Sequence, residues 1–84
     1  MSDLQARFEA AVAESLNLTE RPDNMTLLKL YALYKQGSLG DNPDPRPGFS
    51  DMVGRAKWDA WTRLQGSPRD EAMTQYIELI ESLA

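Results

Sequence analysis

A stiff connection near the middle of the chain, residues 40–50 (GDNPDPRPGFS), limits most strongly how this sequence can fold. It contains three prolines and two glycines, so it cannot continue a helix, and its backbone has little freedom. Fully extended, eleven residues reach about 36 Å, whereas a sixteen-residue helix is about 24 Å long. The connection can therefore run back along a whole helix, which lets the helices before and after it lie parallel.

Four segments have the apolar periodicity of helices, and none alternates as a strand does. They are predicted at about residues 3–16, 24–39 and 51–64, with a fourth helix near the C-terminus. Ser2 and Gln5 form a capping box at the first start. For the fourth helix, Ser67 is the expected N-cap, with Pro68 at the first helical position and Asp70 as the acidic partner.

The links on either side of this central pair of helices are short, so the helices they join should be antiparallel. Together with the long connection, this predicts an all-α fold: one domain, residues 1–84, built as a four-helix up-down-down-up bundle with a long loop between helices 2 and 3. A loop of this length is either functional or a crossover strap held rigid by proline. The sequence favours neither.

Composition excludes several classes of function. The 84 residues include no cysteine and no histidine, so disulfides and the usual ligands of zinc are missing, and no cofactor or metal is expected. No signal peptide or membrane-length apolar run is visible, which predicts a cytoplasmic protein without stable membrane insertion. The net charge of −4 argues against nucleic acid.

Charge is unevenly distributed along the chain. Residues 29–69 carry seven basic and four acidic side chains, whereas the remainder carries two basic and nine acidic ones. Acidic outer faces that keep a small protein soluble explain this asymmetry, and so does an anion site in the middle of the chain.

Lys57 falls at the centre of an otherwise apolar face of the third helix, among positions such as Val53 and Leu64. An unpaired buried ammonium is costly, so Lys57 must either reach an edge or face an anion. Lys35 similarly extends an edge of the second helix with a cation. The three tyrosines lie on or beside apolar stripes, where a single tyrosine is usually part of the core, but three beside two lysines also suit an aromatic ligand; they are Tyr31, Tyr34 and Tyr76.

Cations beside aromatic rings suit a ligand that is anionic and partly aromatic. Catalysis has little support, because there is no histidine base or thiol and no serine lies in a nucleophile motif. No enzymatic activity is therefore expected.

Three blocks in this order and spacing resemble the signature of the acyl-CoA-binding protein family: residues 31–41 (YALYKQGSLGD), 46–48 (RPG) and 54–61 (GRAKWDAW). The resemblance implies an up-down-down-up bundle that binds medium- to long-chain acyl-CoA thioesters non-covalently. It further implies an intracellular carrier and pool former for lipid metabolism, expected as a monomer that makes transient contact with acyl-CoA-using enzymes.

By the same resemblance, Tyr31 would stack on or abut the adenine, and Lys35 and Lys57 would pair with phosphate, chiefly the ribose 3′-phosphate. Tyr76 would offer its hydroxyl to the nucleotide end, and Tyr34 would lie in or beside the site.

Leu16 and Val53 stand where family members frequently carry lysine. The site would then hold the nucleotide less strongly, or depend more on the remaining lysines, with Arg55 as a further phosphate contact. Loss of both lysines also fits a rival interpretation, a module that binds a partner protein. A third, an acyl-CoA-processing enzyme, lacks catalytic groups.

Overall fold

The structure, a computed structural model, describes residues 3–84 and shows an all-helical chain over that range. Its helices are α1 (Asp3–Glu14), α2 (Asn24–Leu39), α3 (Met52–Thr62) and α4 (Arg69–Leu83), with a 3₁₀ turn, Ser15–Asn17, after α1. The bounds of α2 match the prediction, because Asp23 accepts a hydrogen bond from the Thr26 amide and Gly40 ends the helix at φ 86°. Ser2 of the predicted capping box lies outside the described residues.

The predicted up-down-down-up bundle is confirmed. The end of α2 lies beside the start of α4, where the Gln36 side-chain amide donates to the Ser67 carbonyl at 3.0 Å. The same end of α2 meets the end of α3, since the Trp61 indole donates to the Gly40 carbonyl at 2.9 Å. Helices α2 and α3 are therefore parallel, and α4 runs antiparallel to α2.

The long loop runs back along α3. Three contacts hold it in succession: Asn42 to Thr62, Asp44 to Trp58, and Arg46 to Asp59. The Trp58 indole donates to the Asp44 carbonyl at 2.7 Å, and the Arg46 guanidinium makes a bidentate pair with the Asp59 carboxylate. These contacts give the loop the role of a strap that fixes α3 parallel to α2.

The hydrophobic core is made by three helices, α1, α2 and α4. Its members are Phe8, Ala11, Leu30, Leu33, Met73, Tyr76, Ile77 and Ile80, with Ala72. The three helices approach closely at Gly37, where a Cβ would lie 3.1 Å from the Met73 side chain and 3.2 Å from the Phe8 ring. Helix α3 packs chiefly on α2, and its one buried residue is Trp61.

A fully buried glutamine connects the ends of the helices at one end of the bundle. The side-chain amide of Gln36 donates to Asp41 Oδ1 at 2.9 Å and to the Ser67 carbonyl, while its Oε1 accepts from Trp61 Nε1 at 3.1 Å. Asp41 Oδ1 also accepts from the Gly66 amide at 2.8 Å. We call these five residues the Gln36 hub. Within residues 3–84, no buried side-chain nitrogen or oxygen lacks a partner.

The predicted start of the fourth helix is wrong by one residue. Pro68 has extended ψ (144°) and is the N-cap, with no side-chain cap, and its carbonyl accepts from the Ala72 amide at 3.1 Å. Ser67 lies before the N-cap, where its carbonyl accepts from Gln36 and its amide donates to the Leu64 carbonyl in the preceding turn. The predicted capping role of Asp70 is therefore also wrong.

Three other predicted helix limits change slightly. Helix α3 begins at Met52, because Asp51 is its N-cap and accepts from the Gly54 amide at 2.9 Å. It ends at Thr62, so Leu64 lies in the following turn. At the end of the first helix, Leu16 lies in the 3₁₀ turn rather than in α1.

Candidate ligand-binding site

Two lysines from different helices flank one tyrosine ring. Tyr31 and Lys35 are four residues apart on α2 and share a face, and Lys57 approaches from α3. The Lys57 ammonium lies 5.3 Å and the Lys35 ammonium 6.0 Å from the centroid of the Tyr31 ring. Lys35 also lies 5.0 Å from the ring of Trp61. The parallel packing of α2 and α3 thus brings Lys57 close to Tyr31, which precedes it by 26 residues in the chain.

Neither ammonium is neutralised by a carboxylate. Within residues 3–84 the one ion pair joins Arg46 and Asp59 at 2.9 Å, on the strap side of α3. A cation near an aromatic ring gains about 0.5 to 2 kcal/mol, and the contact does not neutralise its charge, which stays available. Lys35 and Lys57 together therefore form a positive spot suited to a phosphate group.

The face of α3 that carries Lys57 is not part of the core, contrary to what its apolar pattern suggests. Val53 is 67% exposed, and Lys57 is exposed as well. The reason is that α3 packs chiefly on α2, so no further helix covers the N-terminal half of this face. The face borders open grooves instead.

Two grooves meet at Tyr31 and Lys57. The first, which we call the tyrosine groove, has a volume of about 400 Å³ and is lined by residues that include Ser15, Leu30, Tyr34 and Tyr76. The second, the apolar groove, has a volume of about 460 Å³ and is lined by residues that include Leu28, Met52, Val53 and Ala56. Tyr31, Lys57 and Leu27 belong to both. An elongated ligand could therefore lie across the two with its charged part at the lysines.

Tyr76 is a buried phenol at the floor of the tyrosine groove. Burial is the main cause that raises its pKa above the ordinary value of 10.0; the neighbouring Ser15 hydroxyl acts in the opposite direction, and Tyr34 adds to the rise. The phenol therefore stays protonated over the physiological range and keeps its O–H as a donor. Its ring packs edge-on against Phe8, with centroids 5.3 Å apart.

Tyr34 differs from Tyr31 in its surroundings. Its ring stacks on Phe8 at 6.2 Å and lies 6.5 Å from Tyr76, so it belongs to an aromatic cluster that reaches into the core. Tyr31 is half-buried and has the two ammonium groups near its ring. Of the two, Tyr31 is the better placed to stack on a ligand that carries phosphate.

Of three further residues singled out in the sequence, two line neither groove. The Arg55 guanidinium lies 4.6 Å above the ring of Phe49 and lines neither groove. Leu16 is 86% exposed and lines neither groove. Val53 lines the apolar groove and extends its apolar wall.

Sequence reasoning missed most of the apolar groove. Leu28, Met52 and Ala56 line it, and no local pattern marks it as a groove, because its lining residues come from two different helices. Leu28 and Ala56 also border a cavity of about 570 Å³ between α2 and α3. This cavity is larger than either groove but does not include the tyrosines or Lys57, so the chemistry points to the grooves.

Metal binding and membrane crossing find no support in residues 3–84. That range holds no cluster of three or more residues able to ligate a metal ion. None of its helices is both long enough and apolar enough to span a bilayer.

Comparison with known proteins gives a consistent family. Residues 5–80 match the family described as "Acyl CoA binding protein". The chain is 46% identical over 76 residues to "Acyl-CoA-binding protein homolog 1" of Caenorhabditis elegans, covering 90% of this chain and 88% of that protein. It is 43% identical over 77 residues to "Acyl-CoA-binding protein homolog" of Drosophila melanogaster, covering 92% and 90%. The crystal structure of Oryza sativa acyl-CoA-binding protein 2 superposes with a TM-score of 0.91 at 38% identity, covering 95% and 87%.

Proposed function

Since the chain belongs to the acyl-CoA-binding protein family, we propose that it binds medium- to long-chain acyl-CoA thioesters non-covalently, as an intracellular carrier and pool former. The observation that carries this function is the presence near the Tyr31 ring of two ammonium groups without carboxylate partners, next to an open apolar groove. Such a surface offers charge, an aromatic face and apolar area to one ligand.

The nucleotide end occupies the surface around Tyr31. The adenine stacks on this ring, which is half-buried and therefore held in place. Lys35 and Lys57 pair with phosphate, chiefly the ribose 3′-phosphate, in charge-assisted hydrogen bonds. Tyr76 contributes its protonated phenol from the floor of the tyrosine groove, and Tyr34 supports the site through the aromatic cluster.

The acyl chain lies in the apolar groove. Burial of methylene groups contributes about 0.8 kcal/mol each, so a sixteen-carbon chain offers on the order of 12 kcal/mol before the cost of ordering it. A charge-assisted hydrogen bond gives about 1.5 to 3 kcal/mol. The acyl chain thus supplies most of the affinity, and the lysines supply most of the specificity for the nucleotide end. Met52 (77% exposed) and Val53 become covered when the chain binds.

The protein acts by binding and does no chemistry on the thioester. The sequence offers neither a histidine base nor a thiol nucleophile. As a cytoplasmic monomer it releases the ligand in transient contacts with acyl-CoA-using enzymes.

Calorimetric titration with palmitoyl-CoA, octanoyl-CoA and free coenzyme A tests the proposal. We expect affinity to rise with chain length and free coenzyme A to bind at least about a hundredfold more weakly than palmitoyl-CoA, because the chain supplies the apolar burial. Equal affinity for coenzyme A and palmitoyl-CoA would contradict the assignment of the apolar groove. No binding of either would favour a module that binds a partner protein.

A further inference from the structure

Trp61 gives Lys35 a second aromatic contact that Lys57 does not have. The Lys35 ammonium lies 5.0 Å from the centroid of the Trp61 ring, closer than the 6.0 Å that separate it from the Tyr31 ring. Within residues 3–84, Lys57 lies near one ring, that of Tyr31, and is exposed, whereas Lys35 is half-buried. The two lysines of the proposed site therefore differ in how firmly the fold holds them.

The ring of Trp61 is itself fixed in place. Its side chain is 3% exposed, and its N–H donates to Gln36 Oε1 at 3.1 Å and to the Gly40 carbonyl at 2.9 Å. Gln36 is held in turn, because its amide nitrogen donates to Asp41 and to the Ser67 carbonyl. Rotation of the indole would break hydrogen bonds inside the protein, where an unpaired N–H is costly. The Gln36 hub thus sets the position of the ring.

A ring held in this way limits where the Lys35 ammonium can lie. Tryptophan is the aromatic side chain that attracts a cation most strongly. The contact does not neutralise the charge, and within residues 3–84 no carboxylate lies at ion-pair distance from Lys35. The ammonium is therefore held near the Tyr31 ring before a ligand arrives, with hydrogen-bond donors still available.

We propose that Trp61 is a positioning residue of the ligand site, which orients the Lys35 ammonium toward the phosphate group that binds beside Tyr31. This inference rests on the proposed function. Trp61 is almost completely buried, so it acts through Lys35 rather than by touching the ligand. A long side chain that is already held in its binding position loses little further freedom when the ligand binds, and this raises the affinity.

Calorimetry with palmitoyl-CoA on Trp61→Leu, Lys35→Met and the double variant tests this role. Leucine stays apolar but removes the ring, so Trp61→Leu should weaken binding about two- to tenfold, the cost of ordering one long side chain. In the Lys35→Met background the same change should weaken it less than about twofold. Trp61→Phe keeps a ring and should recover most of the loss. Ile80→Val, at a core residue that lines neither groove, is the control for lowered stability and should bind like wild type.

A second cycle with Lys57→Met separates the positioning of Lys35 from a general effect on α3. Trp61 also ties α3 to the end of α2, so its loss could displace Lys57 instead. If Trp61→Leu costs nothing further beside Lys57→Met but its full amount beside Lys35→Met, Trp61 acts through Lys57 and the inference is overturned. Losses that add in both backgrounds overturn it too, because Trp61 then acts through neither lysine.

NMR of the ligand-free wild-type protein tests the contact without depending on how well a variant folds. The ε-methylene protons of Lys35, assigned from their absence in Lys35→Met, should resonate upfield of those of Lys29, an exposed lysine of the same helix, because two aromatic rings lie near them. Equal shifts would overturn the inference. No binding of palmitoyl-CoA by the wild type would overturn the proposed function and this role with it, whereas binding with additive losses overturns only the role of Trp61.

Discussion

Helices α2 and α3 meet in two places that differ in whether the fold supplies partners for the polar and charged side chains there. At their C-terminal ends, the Gln36 hub buries a polar side chain whose amide groups all have partners, including the Trp61 indole. About midway along both helices, Tyr31 lies near Lys35 and Lys57, whose charges have no carboxylate partner within residues 3–84. Folding alone completes the hub. The site around Tyr31 keeps unused interactions that only a ligand can complete, so the same two helices carry stability at their C-terminal ends and recognition about two turns before them.

The largest effect is expected at the hub. Trp61→Ala removes a side chain that is 3% exposed, together with its hydrogen bonds to Gln36 and Gly40. We expect the free energy of unfolding in urea to fall by about 3 to 5 kcal/mol, as for other buried aromatic residues. The half-buried Trp58→Ala is the matched control and should cost less. A loss below about 1 kcal/mol for Trp61→Ala would remove the distinction between the two places.

Lys57→Met tests the site around Tyr31, where the expected effect is on ligand binding rather than on stability. It keeps most of the stem and deletes the charge, so stability without ligand should hold or rise slightly, while palmitoyl-CoA binding should weaken by about 2 kcal/mol through loss of a charge-assisted hydrogen bond. The loss should be smaller for the dephospho-CoA ester, which lacks the 3′-phosphate. Lys29→Met, at an exposed lysine of α2 that lines neither groove, serves as the control. Destabilisation without ligand, with equal weakening for both esters, would make Lys57 a structural residue.

Tyr31→Ala and Tyr34→Ala sharpen the comparison within one helix. Tyr31→Ala should weaken binding by about 1 to 3 kcal/mol, the usual value of one base stacked on an aromatic ring. Tyr34→Ala should act mainly on stability, by about 1 kcal/mol, because its ring contacts Phe8 and Tyr76. Calorimetry and urea unfolding on both variants separate the effects. A larger binding loss for Tyr34→Ala would reverse the roles assigned to the two tyrosines.

The smallest expected effect is on the dependence of stability on pH in the acidic range. The Gly66 amide above all, and then the Gln36 side chain, hold the pKa of Asp41 below its ordinary value of 3.8. A carboxyl whose pKa is lowered by folding stabilises the protein fully above the unfolded value, and this contribution is lost as the pH falls through the folded value. Asp41→Asn should therefore make the free energy of unfolding less dependent on pH below about 4, measured against wild type by urea titration. An unchanged pH dependence would show that protonation of Asp41 does not change the stability of the protein.

Features set by neighbouring residues could be predicted from the sequence. Asp23 and Gly40 mark the two ends of α2 by local capping chemistry, and the structure has those ends. The topology also followed, because a loop stiffened by proline can return along α3 only if α2 and α3 are parallel. The clustering of Tyr31 with Lys57 depends on that same pairing.

Features set by distant contacts could not be predicted. Ser67 lies before the N-cap rather than at it, and its carbonyl accepts from Gln36, 31 residues earlier. Val53 is exposed because α3 packs chiefly on α2 and no other helix within residues 3–84 covers this position. The periodic pattern of the sequence does not show this. Arg55 lies over Phe49 because the strap ends there, so its position depends on the folded loop. The functions of the individual site residues stay predictions until they are measured.

The separation of α3 from the core gives it an energetic independence. The core cluster comes from α1, α2 and α4, and α3 is held by its packing on α2, by Trp61 and by the strap. Such an element can open as a unit at a lower free energy than the whole chain, and its amide hydrogens then exchange with solvent sooner than those of the other helices. Opening moves Lys57 away from Tyr31 and dismantles the site. A ligand that bridges the two residues binds only the closed form, so each tenfold excess over its dissociation constant raises the opening free energy of α3 by about 1.4 kcal/mol. The bound ligand thereby slows hydrogen exchange in α3, the helix that contributes no residue to the core cluster.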